Sequence, residues 1–407
     1  MGGQHRTAAK PSHESRLSAR DRTRPGLPTH SAARGRGEAP VSLETPLRLT
    51  GALPGSGGVL RRDPEDFCVA ETLPYALSGE GEHLFVRVRK RGLDTLLAAR
   101  RLAETWQVIE HGARLPEEAG MAGLKDRHAV AEQWLSYPWP LARPLPDLGP
   151  AAEGIEVLEV ARHRHKLRKG HVAANRFEIV IREAPGGGLE RARETLSQLR
   201  LRGLPNRFGA QRFGMAGDNA ERALEVLLGR AKRPRDRRVW SLLCSALQSE
   251  AFNRVLDARI EDGSFGRALD GDRMVKHDSG GQFVVDDPDA EQVRMDALEI
   301  SPTAPLPGKK TPKSARAAAE LEARVIGALG IDDEVWRRVG MGARRPLRIP
   351  LGEEDRIEPG PDAESFVLHV TLPSGSYATA VLDELVKPTG GPFRREEPPP
   401  REAAPEG

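Results

Sequence analysis

The chain has 407 residues, 38% hydrophobic and 30% charged, which allows two or three domains and a sizeable core. No run approaches the roughly eighteen apolar residues of a membrane span, and the Arg-, Ser-, Pro- and Gly-rich first forty residues lack the apolar stretch of a secretory signal. A net charge of +3 does not by itself announce a nucleic-acid binder, and two distant cysteines, Cys68 and Cys244, make neither a zinc ribbon nor a disulfide framework.

A reducing cytoplasm is therefore the expected location; Glu14, Asp21 and Glu38 interrupt the basic run that a transit peptide would need. Residues 1–45 and 391–407 are dominated by Pro, Gly and charge, and are read as disordered tails, the first of them basic. After the first tail, "HLFVRVR" alternates Leu84, Val86 and Val88 against Arg87 and Arg89, as a half-buried strand does. "LDTLLAARRLAETWQ" then sets Ala98, Leu102 and Trp106 at helical spacing, with Asp94 or Thr95 as its cap.

"AGLKDRHAVAEQWLS" (122–136) places Asp126 between Lys125 and Arg127, ahead of an apolar segment. Taken locally, an Asp just after a Gly is a turn former. "RHRHKLRKGH" (162–171) carries Arg162, Arg164, Lys166, Arg168 and Lys169 with His163, His165 and His171 and no acid, and "RAKRPRDRR" (230–238) has one acid. Such stripes suit a polyanionic partner, because each cation seated on a phosphate releases condensed counterions; the competing reading is a solvated loop. The three histidines sit among cations that would repel a metal ion, so no metal site is expected.

"FEIVIR" alternates Phe177, Ile179 and Ile181, and "SFVLHVTL" repeats the pattern with Phe366, Leu368, Val370 and Leu372 nearly two hundred residues later. Between them helical stripes prevail, such as Leu224, Leu227 and Leu228, or Ala317, Leu321, Val325 and Leu329. The expected fold class is α+β, a mixed or antiparallel sheet interrupted by an α-rich insertion. The expected domains are 46–204 and 351–390 for the interrupted one and 205–350 for the insertion. No G-x-x-x-x-G-K-[ST], H-E-x-x-H or G-x-S-x-G is present, so phosphate-loop, zincin and nucleophile-elbow chemistries have no support.

Five stretches in order make a larger pattern: "PEDFCVAE" (64–71), "GLKDRHAVAEQWLS" (123–136), "HKLRKGHVAANRFEIVIR" (165–182), "PNRFGAQRFG" (205–214) and "LPSGSYATAVLDEL" (372–385). In this arrangement the chain resembles the TruD family, tRNA pseudouridine synthases that act on uridine 13, over about residues 55–388. The resemblance implies a pseudouridine synthase catalytic domain with an inserted TRUD domain. It also implies cofactor-free isomerisation, in which the glycosidic bond of a flipped-out uridine is cleaved and the base rejoined through carbon.

The resemblance makes Asp126 the catalytic aspartate, a residue type ionised at neutral pH without tuning. Arg61 matches the family's supporting cation, with Arg62 or Lys125 as alternatives. Phe67, Asn175, Phe177 and Tyr377 match the residues around the site, where aromatic rings offset the cost of unstacking the target base. For Phe67 and Phe177 the competing reading is plain core packing, and for Tyr377 a helix-start packing role. Ala131 and Asp94 stand where the family often has Thr and Asn. With the resemblance in hand, the 162–171 stripe reads as a grip on the tRNA backbone. The partner is tRNA and the protein is read as a monomer; an RNA-binding module without activity and a hydrolytic nucleosidase are the competing functions.

Overall fold

The computed structural model describes residues 47–388; both expected tails lie outside the described residues. In the first half, strands β1 (Val59–Leu60), β2 (Phe67–Thr72) and β3 (His83–Arg91) lead to helix α1 (Thr95–Thr105). Strands β4 (Gly120–Met121), β5 (Val130–Pro138), β6 (Gly149–Ala152), β7 (Ile155–His163) and β8 (Ala174–Arg182) follow, then α2 (Gly188–Arg202) and β9 (Leu204–Pro205). Next come α3 (Asn219–Leu227), α4 (Arg237–Glu261), β10 (Arg273–Lys276), β11 (Gln282–Val284), α5 (Pro288–Asp296) and β12 (Ile300–Leu306). The chain continues through α6 (Arg316–Gly327), α7 (Asp333–Val339), β13 (Ala343–Pro346), β14 (Arg348–Ile349), β15 (Arg356–Pro359), β16 (Phe366–Pro373) and α8 (Ala378–Val386).

Ten strands form one mixed sheet in the order β15-β16-β8-β2-β5-β3-β7-β6, with β1 added to β8 and β4 to β5. Among the described residues only β2 and β5 run parallel in it. This is the expected α+β class with a mixed sheet. The late strand β16 pairs antiparallel with β8, Phe366 opposite Ile181 and Leu372 opposite Asn175, so the chain does return to its first half.

One face of β3 is covered along its length and the other only at Phe85. Leu84, Val86 and Val88 pack with Ala98 and Leu102 of α1, while Phe85 on the other face packs with Trp134 and Leu167. The helix begins where Asp94 accepts the Leu97 backbone N–H, which selects Asp94 over Thr95 as the cap. Cys68 and Cys244 are free thiols. Among the described residues no helix is long and apolar enough to cross a membrane.

Residues 205–350 hold the five helices α3 to α7, but they also hold an antiparallel four-stranded sheet, β11-β10-β12-β13, which the helical stripes did not announce. The reason lies in β12, "ISPTAPL": it is buried on both faces and carries Pro302 and Pro305, so it shows neither alternation nor the usual strand composition. One apolar cluster runs from Phe67 and Ile179 through Phe252 of α4 to Trp336 of α7 and Leu382 of α8.

Candidate active site

Asp126 lies in the connection between β4 and β5, in irregular backbone just ahead of a bend at 127–129, so it is a loop residue and not the turn former that its local sequence suggests. Three ties fix that connection. The Lys125 N–H donates to Thr95 Oγ1 at 2.8 Å, Arg127 Nε to the Gly92 carbonyl at 3.1 Å, and Lys90 Nζ to the Asp126 carbonyl at 2.7 Å. Lys90 comes from β3, where the period of two puts it on the same face as Leu84, Val86 and Val88. It is fully buried, and its ammonium also donates to the Leu93 carbonyl at 2.6 Å. Burial pushes its pKa down to about 8, against the pull of the Asp126 and Asp94 carboxylates.

The Asp126 carboxylate is 3.5 Å from Arg61 Nη2, with the two side chains 24% and 27% exposed. Arg61 reaches it from the segment after β1 with a backbone φ of 59°, a left-handed conformation that a side-chain-bearing residue adopts at a cost. Its guanidinium lies over the Phe67 ring, 4.2 Å from the centroid, and Phe67 meets Phe177 edge-on at 5.9 Å. Arg62, the sequence alternative, instead pairs with Glu183 at 3.0 Å on the exposed surface.

Strand register brings the amide in from below. In the β2–β8 pair Val69 faces Phe177 and Glu71 faces Asn175. The Glu71 side chain is fully buried; one oxygen accepts the Trp134 N–H at 3.0 Å and the other lies 2.7 Å from Lys125 Nζ. Lys125 Nζ then donates to Asn175 Oδ1 at 2.9 Å. Lys125 is thus the link between a buried carboxylate and the candidate site amide.

Asp126, Arg61, Phe67 and Phe177 are therefore joined in one chain of contacts, and Asn175 is tied to Lys125, the residue before Asp126. Phe67 and Phe177 are also members of the large core cluster, 6% and 8% exposed, so the core-packing reading is satisfied at the same time. Tyr377 belongs to a second group. It precedes α8, after Gly375 at φ 88°, and its ring lies 6.0 Å from Phe208 of "PNRFG". Arg345 of β13 holds this group: its guanidinium lies 4.2 Å from the Phe208 centroid and 5.9 Å from that of Tyr377, and donates to the Asn206 and Gly375 carbonyls. Burial brings the Arg345 pKa down to about 10.

The basic stripe divides. The Arg162 guanidinium donates to the carbonyls of Gly81, Trp139, Pro140, Leu141 and Arg143, which makes it an internal clamp. Arg164 pairs with Glu80 and Lys166 donates to the Glu117 carbonyl at 2.7 Å, while Arg168 and Lys169 are exposed. His163 stacks on Tyr75 at 5.3 Å, and burial with the neighbouring His165, His83, Arg164 and His171 lowers its pKa. Among the described residues no group of three or more His, Cys, Asp or Glu is arranged to hold a metal ion.

Four residues of this arrangement, Glu71, Lys90, Lys125 and Arg345, were not assigned these places by sequence. Two of them left a trace there: Glu71 and Lys90 are charges on the apolar face of an alternating strand.

The mixed sheet with its returning strand defines the class. The structure aligns with the solved structure of a protein described as a tRNA pseudouridine synthase D, from Methanosarcina mazei, with a TM-score of 0.66, at 24% identity over 84% of this chain and 96% of that one. The fold is that of this class of synthase. The sequence narrows it further. The model of the family tRNA pseudouridine synthase D (TruD) matches residues 47–231 and 228–385. A tRNA pseudouridine synthase D of Anaeromyxobacter dehalogenans is 45% identical over 83% of this chain and 95% of its own length, and one of Thermus thermophilus is 39% identical over 87% and 96%. The chain belongs to the TruD family.

Proposed function

We propose that Asp126 is the nucleophile with which this chain modifies uridine 13 of tRNA, taking the base flipped out of the RNA. As a TruD-family member the chain is a tRNA pseudouridine synthase, an isomerase that turns uridine into pseudouridine. The bond from ribose C1′ to N1 breaks and one from C1′ to C5 forms; C5 gives up its proton and N1 takes one up, so no atoms are gained or lost. The observation that carries the assignment is the Asp126 carboxylate 3.5 Å from Arg61, whose guanidinium lies over Phe67 and through it meets Phe177.

Arg61 pairs with the carboxylate and aims it, and Phe67 holds Arg61 by stacking beneath it. Asn175, Phe177 and Tyr377 receive the uracil. Residues 46–204 and 351–390 act as the catalytic domain and 205–350 as the inserted TRUD domain. Arg168 and Lys169, with Arg164 and Lys166 beside them, contact the tRNA backbone, and the exposed cations of 230–238 extend that surface. The protein works as a monomer in the cytoplasm, without a cofactor.

The test is pseudouridine mapping in tRNA from a deletion strain. Wild-type protein should restore the modification at position 13 and Asp126→Asn should not; full restoration by Asp126→Asn would remove the assignment.

A further inference from the structure

We infer that Lys125, anchored by Glu71, is a positioning residue of the reaction, and that it acts by fixing which way the Asn175 amide faces. The inference rests on Asn175 being part of the site.

An ammonium group has three donors and no acceptor, so only the oxygen of the amide can face it. Lys125 Nζ lies 2.9 Å from Asn175 Oδ1, and this fixes the orientation by chemistry, although the two ends of an amide are nearly identical in size. The Asn175 –NH2 is thereby presented on the side away from Lys125, as a pure donor. What a donor there can serve is an acceptor: a carboxylate oxygen or a uracil carbonyl. With the amide turned over, the carbonyl oxygen would take that place and repel both.

Lys125 is itself held in place. Its side chain is 13% exposed, and Glu71 Oε1, 2.7 Å away on a fully buried side chain, needs its charge. The other Glu71 oxygen takes the Trp134 N–H, so the carboxylate cannot swing after a moving partner. The β2–β8 register sets Glu71 opposite Asn175, which places anchor, lysine and amide in one short line. The lysine is also the residue before Asp126, so the same anchor bears on the candidate nucleophile's own loop.

The test is a double-mutant cycle in single-turnover pseudouridine formation on tRNA, with tRNA affinity measured alongside. Lys125→Met should lower the rate about 100-fold, the scale set by misplacing one group in a reacting geometry, and leave the tRNA Kd within about twofold, since the lysine is mostly covered. Asn175→Ala should cost a similar factor, and the double variant should be no slower than Asn175→Ala alone. A folded Lys125→Met at the wild-type rate, or losses that multiply in the double variant, would overturn the inference. If Lys125→Met fails to fold, Glu71→Gln/Lys125→Met, which leaves no buried charge unpaired, replaces it with the same expected loss and the same refuting results. Asp126→Asn runs as a control: its activity would defeat the nucleophile assignment, whatever Lys125 does.

Discussion

Replacing Lys90 by Met separates what this buried lysine costs from what it does. Moving the ammonium's pKa from the ordinary 10.5 to about 8 costs about 3 kcal/mol of folding free energy at neutral pH. Methionine of similar length removes that cost, but leaves the Leu93 and Asp126 carbonyls without the donors they have at 2.6 and 2.7 Å. Each buried carbonyl so stranded costs roughly 1–3 kcal/mol. The two effects nearly offset, so Lys90→Met should change stability at pH 7 by no more than about 3 kcal/mol, while pseudouridine formation falls about 100-fold as the Asp126 backbone comes loose.

The pH dependence isolates the charge. Between about pH 8 and 10.5 the unfolded chain holds a proton that the folded Lys90 has lost, so this group's contribution makes stability rise with pH across that window. Binding polynomials with those two values give a gain of about 2 kcal/mol between pH 7 and pH 9.5. Asp126, Asp94, Lys125 and Glu71 all act on Lys90 and remain in the variant. Urea unfolding of wild type and Lys90→Met at both pH values therefore yields the term as a difference of differences. Wild type should gain about 2 kcal/mol on the variant as pH rises. An unchanged difference would refute the buried-charge argument, and an unimpaired rate in Lys90→Met would refute the role given to the Asp126 carbonyl.

Arg61→Gly trades the strain of a left-handed arginine, about 1 kcal/mol, against a cation–π contact of similar size, so stability should stay within about 1 kcal/mol while pseudouridine formation drops at least tenfold. Urea titration and single-turnover assays on the same sample check both halves. Arg345→Met should cost about 2 kcal/mol and slow the reaction, because the Asn206 and Gly375 carbonyls lose their donor and Tyr377 its neighbour; a variant with full stability would contradict the clamp. Arg168→Gln with Lys169→Gln should reduce the slope of log affinity for tRNA against log salt by about 1.5, whereas Arg162→Gln should lower the melting temperature and leave the slope alone. Filter binding over a salt series distinguishes the two residues.

The strands were legible because period-two alternation survives wherever one face is dry: Phe177, Ile179 and Ile181 in β8 and Phe366, Leu368, Val370 and Leu372 in β16 are all buried as their spacing required. Strand β12 was not legible, since burial on both faces erases the alternation. Asp126 could be singled out by its family pattern but not by its neighbours, and the structure shows why: it lies in an irregular loop, and its partners Lys90 and Arg61 come from β3 and from the segment after β1. Arg345 left no local sign, because it joins Asn206, 139 residues away, to Gly375, 30 residues away.

Glu71 and Lys90 point to a rule for reading such chains. Buried charges are poor stabilisers, since desolvation offsets much of what pairing returns, so a chain that keeps two of them on apolar strand faces does not keep them for stability alone. Both lead to the same loop. Lys90 holds the Asp126 carbonyl, and Glu71 holds the lysine beside Asp126. The Asp126 side chain itself remains about a quarter exposed, as the proposed nucleophile requires. The charged residues on the inner faces of β2 and β3 therefore act as a rigid floor under an open carboxylate. An alternating strand with one acid or lysine on its apolar side is thus a signal to look for the loop which that charge holds.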